Sequence, residues 1–438
     1  MKPSHLVITL LVVGVLAACQ TVPDAVDSST QDASATAGGE GFEGQLAIIG
    51  TDGNLYRYDS PSGAEAVTHD AAIADGFFYR DPSWSPDGWL SYVGVAHSGS
   101  DVEIGVNAIP PGGGDPVQLE SGPDDYIYGY WSPATCVQRE ACARFAYLMQ
   151  DAGQIGMRIA TLGDNLDALT ISRLGRASTF YYSWSPDGRA MLWFTGGTDL
   201  SIYDALEDQV TETLEVMPGT FQTPIWSPID DRLLYATAQN RLTQMAIREG
   251  ASEQPFGDAV DDRLAFTWSP DGARVAYAHG ISDFQALTIH NLETGVEQRY
   301  ETLEKVLAWF WSPDGTKLAV INIEMTRPEL QQAASGRHAR PLNQETGHPV
   351  LVWYLIDVKE GSLQRVIEFV ATFDQTYFYQ WFEQFAQSHQ IWSPDSRYLV
   401  YAERRLDDKP RVRIIDTENL TRAPETLMEG TLAIFSFG

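Results

Sequence analysis

One short motif recurs along the chain, and its spacing constrains the fold more than any other feature. Trp-Ser-Pro occurs at Trp84, Trp131, Trp184, Trp226, Trp268, Trp311 and Trp392. The longer form Trp-Ser-Pro-Asp-Gly stands at 84–88, 184–188, 268–272 and 311–315, and the copy at 392 reads Trp-Ser-Pro-Asp-Ser. The copies at 131 and 226 lack the Asp-Gly. Successive tryptophans lie 47, 53, 42, 42, 43 and 81 residues apart. Recurrence at such a period marks a repeat architecture.

The chemistry of the motif says what each unit is. Pro sets φ, Asp hydrogen-bonds nearby backbone and Gly accepts positive φ, so Pro-Asp-Gly is a tight turn. One strand must precede it and another must follow. The following strands are visible as Leu90–Val93, Phe145–Leu148, Leu233–Ala236, Val275–Ala278, Leu318–Ile321 and Leu399–Ala402. A third strand comes next, as at Ser201–Asp204 and Val412–Asp416, and a weaker fourth precedes the next turn. Four short antiparallel strands per unit, repeated radially, make a β-propeller blade. Each tryptophan supplies an apolar plate for the neighbouring blade.

The two ends complete the count. Phe435 falls where the next tryptophan is due, and it lies in a first strand only. Gln45–Gly50 reads as a second strand with no first, and Leu55–Asp59 as a third. The sequence therefore predicts an all-β propeller of eight four-stranded blades over 45–438, closed by pairing the N- and C-terminal strands. Such closure removes exposed sheet edges. The count takes 325–348 as an insertion in the long 311–392 unit; a blade hidden there would raise it to nine. Phe373, Tyr377, Phe378, Trp381, Phe382 and Phe385 have helical spacing, which predicts a helix over about 374–386.

Composition bounds the rest. A chain of 438 residues with 44% hydrophobic and 20% charged residues is globular rather than disordered. A formal charge of −30 repels phosphate backbones and argues against nucleic acid binding. Three cysteines are too few for a disulfide scaffold or a four-cysteine zinc site. Leu6–Leu16 is an apolar run too short to span a bilayer, and it suits a signal-peptide core. Leu16-Ala17-Ala18-Cys19 resembles the lipobox of bacterial lipoproteins. That resemblance implies cleavage of 1–18, lipidation of Cys19 and an extracytoplasmic, membrane-anchored protein, in a periplasm or on a cell surface. The alternative is a simple secretory signal with an incidental cysteine. Residues 19–44 then form a tether, about 25 flexible residues reaching roughly 28 Å on average.

The repeated Trp-Ser-Pro-Asp-Gly units resemble the TolB-type, WD40-like (PD40) propeller repeats over roughly 45–438. The resemblance implies the fold and says little of function. TolB carries an α/β domain before its propeller and this chain has only a short linker there, so a role in the Tol–Pal envelope system does not carry over. Prolyl oligopeptidases also use such propellers, but the Gly-x-Ser-x-Gly elbow of their hydrolase domain is missing here.

Little in the sequence carries chemistry. No metal-ligand spacing or phosphate loop occurs. Neither a cofactor nor a catalytic residue is assigned, although propeller sites can draw single residues from several blades. Cys136 and Cys142 read as a disulfide in an oxidising compartment, with two free thiols as the alternative. Long irregular loops point to binding. One face carries the insertion with Arg337, His338 and Arg340, and the aromatic stretch with Tyr377, Trp381 and His389. Tyr79, Arg80, Tyr128, Tyr181, Phe221 and Trp309 precede the motif tryptophans near the axis of the same face. These residues are the candidate binding face. The expected partner is a protein or cell-envelope component. The alternative is a glycan or peptide, bound or processed in an aromatic axial funnel. Each aromatic could also simply pack blade on blade.

Overall fold

The computed structural model describes residues 41–60, 62–133, 143–162, 169–177, 180–219, 223–280, 284–325, 349–404 and 409–438. Within them the motif turn repeats with the same hydrogen bonds. At 269–274 the Ser269 hydroxyl donates to Asp271 Oδ1 (2.5 Å) and accepts from Arg274 N (2.9 Å). Asp271 Oδ1 accepts from Ala273 N (3.0 Å), and Gly272 N donates to Ser269 O (2.9 Å). The same set recurs at 185–190 and 312–317. Serine and aspartate thus satisfy the backbone groups that a tight turn leaves unpaired.

The last position of the turn requires positive φ. Gly272 and Gly315 adopt it at 63° and 68°. In the copy at 392 the residue is Ser396, which takes φ 61° all the same. Its side chain offsets some of the strain by accepting from Asp314 N of the preceding blade (3.0 Å).

Eight blades result. Five are separate four-stranded sheets, with inner strands Phe77–Trp84, Asp125–Trp131, Phe180–Trp184, Ile225–Trp226 and Arg263–Trp268. They are blades 1 to 5. Blade 6 begins at Val306–Trp311 and joins blades 7 and 8 in one ten-stranded sheet. The inner segment of blade 7, 390–392, is held by isolated bridges, Trp392 to Leu399 and Gln390 to Phe435.

Closure comes from the single strand Glu425–Phe435. Its first half pairs with Arg411–Asp416 of blade 7, and its second half pairs with Gln45–Gly50 of blade 8. The switch occurs at Gly430, where a Cβ would lie 2.8 Å from Ile49 O. Only glycine allows that approach. Leu55–Asp59 and Gly63–Ala66 complete blade 8. Phe435, in the tryptophan-equivalent position, is buried edge-on against Phe42 at 5.3 Å.

The core lies between neighbouring blades, and the tryptophans stitch it. The indole N–H groups of Trp131, Trp311 and Trp392 each donate to the preceding blade: Ser83 O, Thr267 Oγ1 and Phe310 O, all at 3.1 Å. Among the described residues no helix is long and apolar enough to cross a membrane.

Candidate functional site

Connections in each blade alternate between two faces, so the axis has two different mouths. On one face lie the Trp-Ser-Pro turns. On the other lies the 372–389 segment, between the outer strand of blade 6 and the inner segment of blade 7.

That segment forms two short helices, α1 (Phe373–Gln380) and α2 (Phe382–Phe385). The one helix expected over 374–386 breaks at Trp381, whose φ and ψ are −110° and 29°. Thr372 caps α1 by accepting from Gln375 N (3.2 Å), and its hydroxyl donates to Thr431 O of blade 8 (2.5 Å). The break lets α2 turn its aromatic rings down into the axis.

The helices fill the mouth. Phe382 sits 4.5 Å from the ring of Trp309, and Phe378 stacks on Phe310 at 5.5 Å. Phe385 meets Tyr128 edge-on at 5.1 Å. Tyr128 donates its hydroxyl proton to Gln384 O (2.8 Å) and lies 2.9 Å from Ser388 Oγ. From blade 5, Arg263 pairs with Glu383 (2.5 Å) while covering the Phe284 ring. Burial raises the Glu383 carboxyl, and Arg263 opposes that shift. His389 Nδ1 lies 2.6 Å from Ser388 Oγ, and the ring also hydrogen-bonds the Pro82 backbone. Burial depresses its pKa to about 3, so the ring is neutral.

The outward side of the plug is different. Phe373, Tyr377 and Trp381 recur every fourth residue and are 71%, 37% and 38% exposed. Beside them lies a bulge in the inner strand of blade 1. There Asp81 takes φ 51° and pairs with Arg80 (2.8 Å). Arg80 also reaches Asp125 (3.4 Å) and Tyr126 O (3.1 Å). Burial raises the Asp81 carboxyl, with Arg80 pulling it back, and burial likewise raises Asp374. Burial and then the charge of Asp81 push Tyr377 up to about 12. The result is an exposed aromatic stripe on the axis with carboxylates and one arginine beside it. It can stack on and attract a ligand.

The candidate residues therefore divide. Arg80, Tyr377 and Trp381 reach the surface, and Tyr181 is half-buried, stacked on Phe194. Tyr79, Tyr128, Trp309 and His389 are buried, with Tyr79 donating to Asp70 (2.7 Å). The open aromatic funnel expected on this face is occupied by α1 and α2, because stacking covers more apolar surface than water-facing rings could. Phe221, Arg337, His338, Arg340, Cys19, Cys136 and Cys142 lie outside the described residues. No described cluster of three or more His, Cys, Asp or Glu is arranged to hold a metal ion.

The sequence reading passed over Asp81, Asp374, Glu383 and Arg263. It also passed over the other mouth, where the chain leaves a cavity of about 350 Å³. All seven motif tryptophans line it, with the prolines of six motifs and the plug's tail, 386–392. The signal was present: seven copies ending seven inner strands must place seven indoles in one ring.

No protein-family model matches the chain, and a search of curated proteins returns no match. Solved structures do match. A eukaryotic initiation factor aligns at a TM-score of 0.52 and 13% identity, over 90% of this chain and 98% of that one. A prolyl endopeptidase aligns at 0.51 and 9% identity, over 81% of this chain and 50% of that one. TolB from Acinetobacter baumannii aligns at 0.38 and 13% identity, over 77% and 79%. At such identities the likeness is one of fold. This chain is a β-propeller.

Proposed function

We propose that the protein is a lipid-anchored extracytoplasmic propeller that binds a protein partner on its plugged face. The carrying observation is the stripe of Phe373, Tyr377 and Trp381, exposed on a segment whose opposite side is buried in the axis. Phe373 is largely in solvent, and Tyr377 and Trp381 are held in place by packing while each keeps more than a third of its surface exposed; rigid, partly exposed aromatics of this kind are the anchors that dominate protein interfaces. Asp81, Asp125 and Asp374 beside the stripe, in a chain of charge −30, favour a partner presenting basic residues around an apolar tip. The lipobox-like Leu16–Cys19 supports the anchor.

The test is site-specific photo-crosslinking in cells. A crosslinker at position 377 should trap one discrete partner, and one at Ile229, exposed beside the turn face, should not. Trp381→Ala should reduce the trapped product about tenfold, the usual loss for an aromatic anchor. Equal products from both positions, or a product indifferent to Trp381→Ala, would sink the proposal. For the anchor, Cys19→Ser should release the protein from membranes; retention would refute lipidation.

A further inference from the structure

We propose that the cavity on the turn face binds a small, uncharged, ring-bearing molecule. This goes beyond the protein-binding reading and concerns the opposite end of the axis.

Charge is the first argument. The chain carries 29 basic and 59 acidic side chains. Among the described residues, the cavity wall contains no Asp, Glu, Lys or Arg. The titratable groups among the described lining residues are His389 and Tyr130, and burial keeps both neutral at physiological pH, by opposing protonation of the imidazole and ionisation of the phenol. A charged ligand would lose its hydration there with no counter-charge in return.

Shape and surface give the ring. Trp84, Trp184, Trp226 and Trp268 stand around the wall, and the rigid prolines two residues beyond them form the rim. The indoles are each at most 9% exposed and show the space only a small part of their rings, while the half-buried or exposed pyrrolidines give it flat apolar surface against which a flat or puckered ring can pack. A volume of about 350 Å³ lies at the small end of the range for small-molecule sites.

A polar handle sits on the floor. Ala386, Gln387 and Gln390 are only half-buried, so part of each faces the cavity. The Gln387 amide is engaged with Glu383 O (3.1 Å). The Gln390 side chain has no hydrogen-bond partner among the described residues. Its amide can both donate and accept, which suits a hydroxyl or carbonyl substituent. Such sites commonly pair apolar walls with a few polar groups. Phe437, at the mouth, is partly exposed and can cover a ligand once it is seated.

The test uses the mature protein and N-phenyl-1-naphthylamine, a neutral ring-bearing probe. Exciting tryptophan and reading energy transfer to the probe reports binding beside the indoles. The expected result is saturable one-to-one binding, with the anionic analogue 8-anilinonaphthalene-1-sulfonate at least about tenfold weaker. Ala386→Met, which extends a side chain up from the floor, should weaken the neutral probe at least about tenfold while leaving the melting temperature within a few degrees. In the unmodified protein the probe should slow hydrogen exchange across 386–392 and leave 373–381 unchanged. That measurement stands even where Ala386→Met fails to fold. Non-saturable binding, equal affinity for the anion, or protection confined to 373–381 would each overturn the proposal. Crosslinking from position 377 reports on the other mouth, so either proposal can fail alone.

Discussion

The two mouths of the propeller axis are built by opposite strategies. The turn face is made by repetition: seven Trp-Ser-Pro copies arranged as a ring around a space, each contributing one indole, and the copies that keep the Asp contributing a small hydrogen-bond set as well. The plugged face is made by one unrepeated segment, 372–389, whose aromatics reach several blades at once. In a ring, each member touches only its neighbours, so losses are local. A plug is shared by all the blades it touches, so one truncated side chain loosens several interfaces. The repeated part of this molecule is therefore where substitutions should be mild, and the singular part where they should be severe.

Four substitutions would break or sharpen that contrast. The largest effect is expected for Phe382→Ala, which empties the contact with Trp309, Phe284 and Phe310. Removal of a fully buried phenyl ring costs about 3–5 kcal/mol, read as a shift in the denaturant midpoint. A loss below about 1 kcal/mol would mean that the plug is an accessory and not part of the core.

Next comes Arg263→Ala, which strands the Glu383 carboxylate against the axis. Arg263 is itself 37% exposed, which limits the loss to about 2 kcal/mol. Adding Glu383→Gln should recover part of it, because the buried charge disappears. A double variant no better than the single would show that the pair acts through packing alone.

The third prediction concerns pH. His389 has a folded pKa of about 3 against an ordinary value of 6.5. The unfolded chain therefore takes up a proton that the folded chain refuses. Stability from this group is fully present above pH 6.5 and is lost as pH falls toward 3. The slope is about 1.4 kcal/mol per pH unit. His389→Gln should flatten the acid limb of a stability-against-pH curve by that amount. The raised carboxyls Asp81, Asp374 and Glu383 act in the opposite sense and are common to both proteins. Parallel acid limbs would show that His389 is protonated in the fold.

The smallest change belongs to the ring. Ser269→Ala removes a donor to Asp271 and an acceptor for Arg274 N, at about 1 kcal/mol. It should also raise the Asp271 carboxyl. Burial alone would raise that group, but the Ser269 hydroxyl and Ala273 amide outweigh it and hold it low. A midpoint shift as large as that of Phe382→Ala would erase the distinction between ring and plug.

How far the sequence could be read follows the same division. The blades were legible because a turn needs specific residues at adjacent positions, and Pro-Asp-Gly names them. Even Ser396, a serine where glycine is expected, keeps φ 61° because the turn around it is held by the same bonds. Closure was legible because Gln45–Gly50 lacked a first strand and Phe435 stood where a tryptophan was due; the two regions pair, Leu46 with Phe435. The candidate face was legible only as composition. Helical spacing grouped six aromatics of 373–385 together, but spacing cannot say which side faces inward. The break at Trp381 splits them, with Phe378, Phe382 and Phe385 buried toward the axis and Phe373, Tyr377 and Trp381 reaching solvent.

Sequence alone thus determined what is local: the repeat, its strands and turns, and the number of blades, together with the net charge. Tertiary structure alone decided what depends on distance across the ring. It placed Arg263 against Glu383, 120 residues apart, and Tyr128 against Ser388, 260 apart. It chose which mouth to fill, and thereby closed Trp309 and His389 off from the plugged face. The physical reason is that turns and strands are specified by neighbouring backbone, whereas the occupancy of a central axis is specified by whichever apolar surface can reach it from any blade.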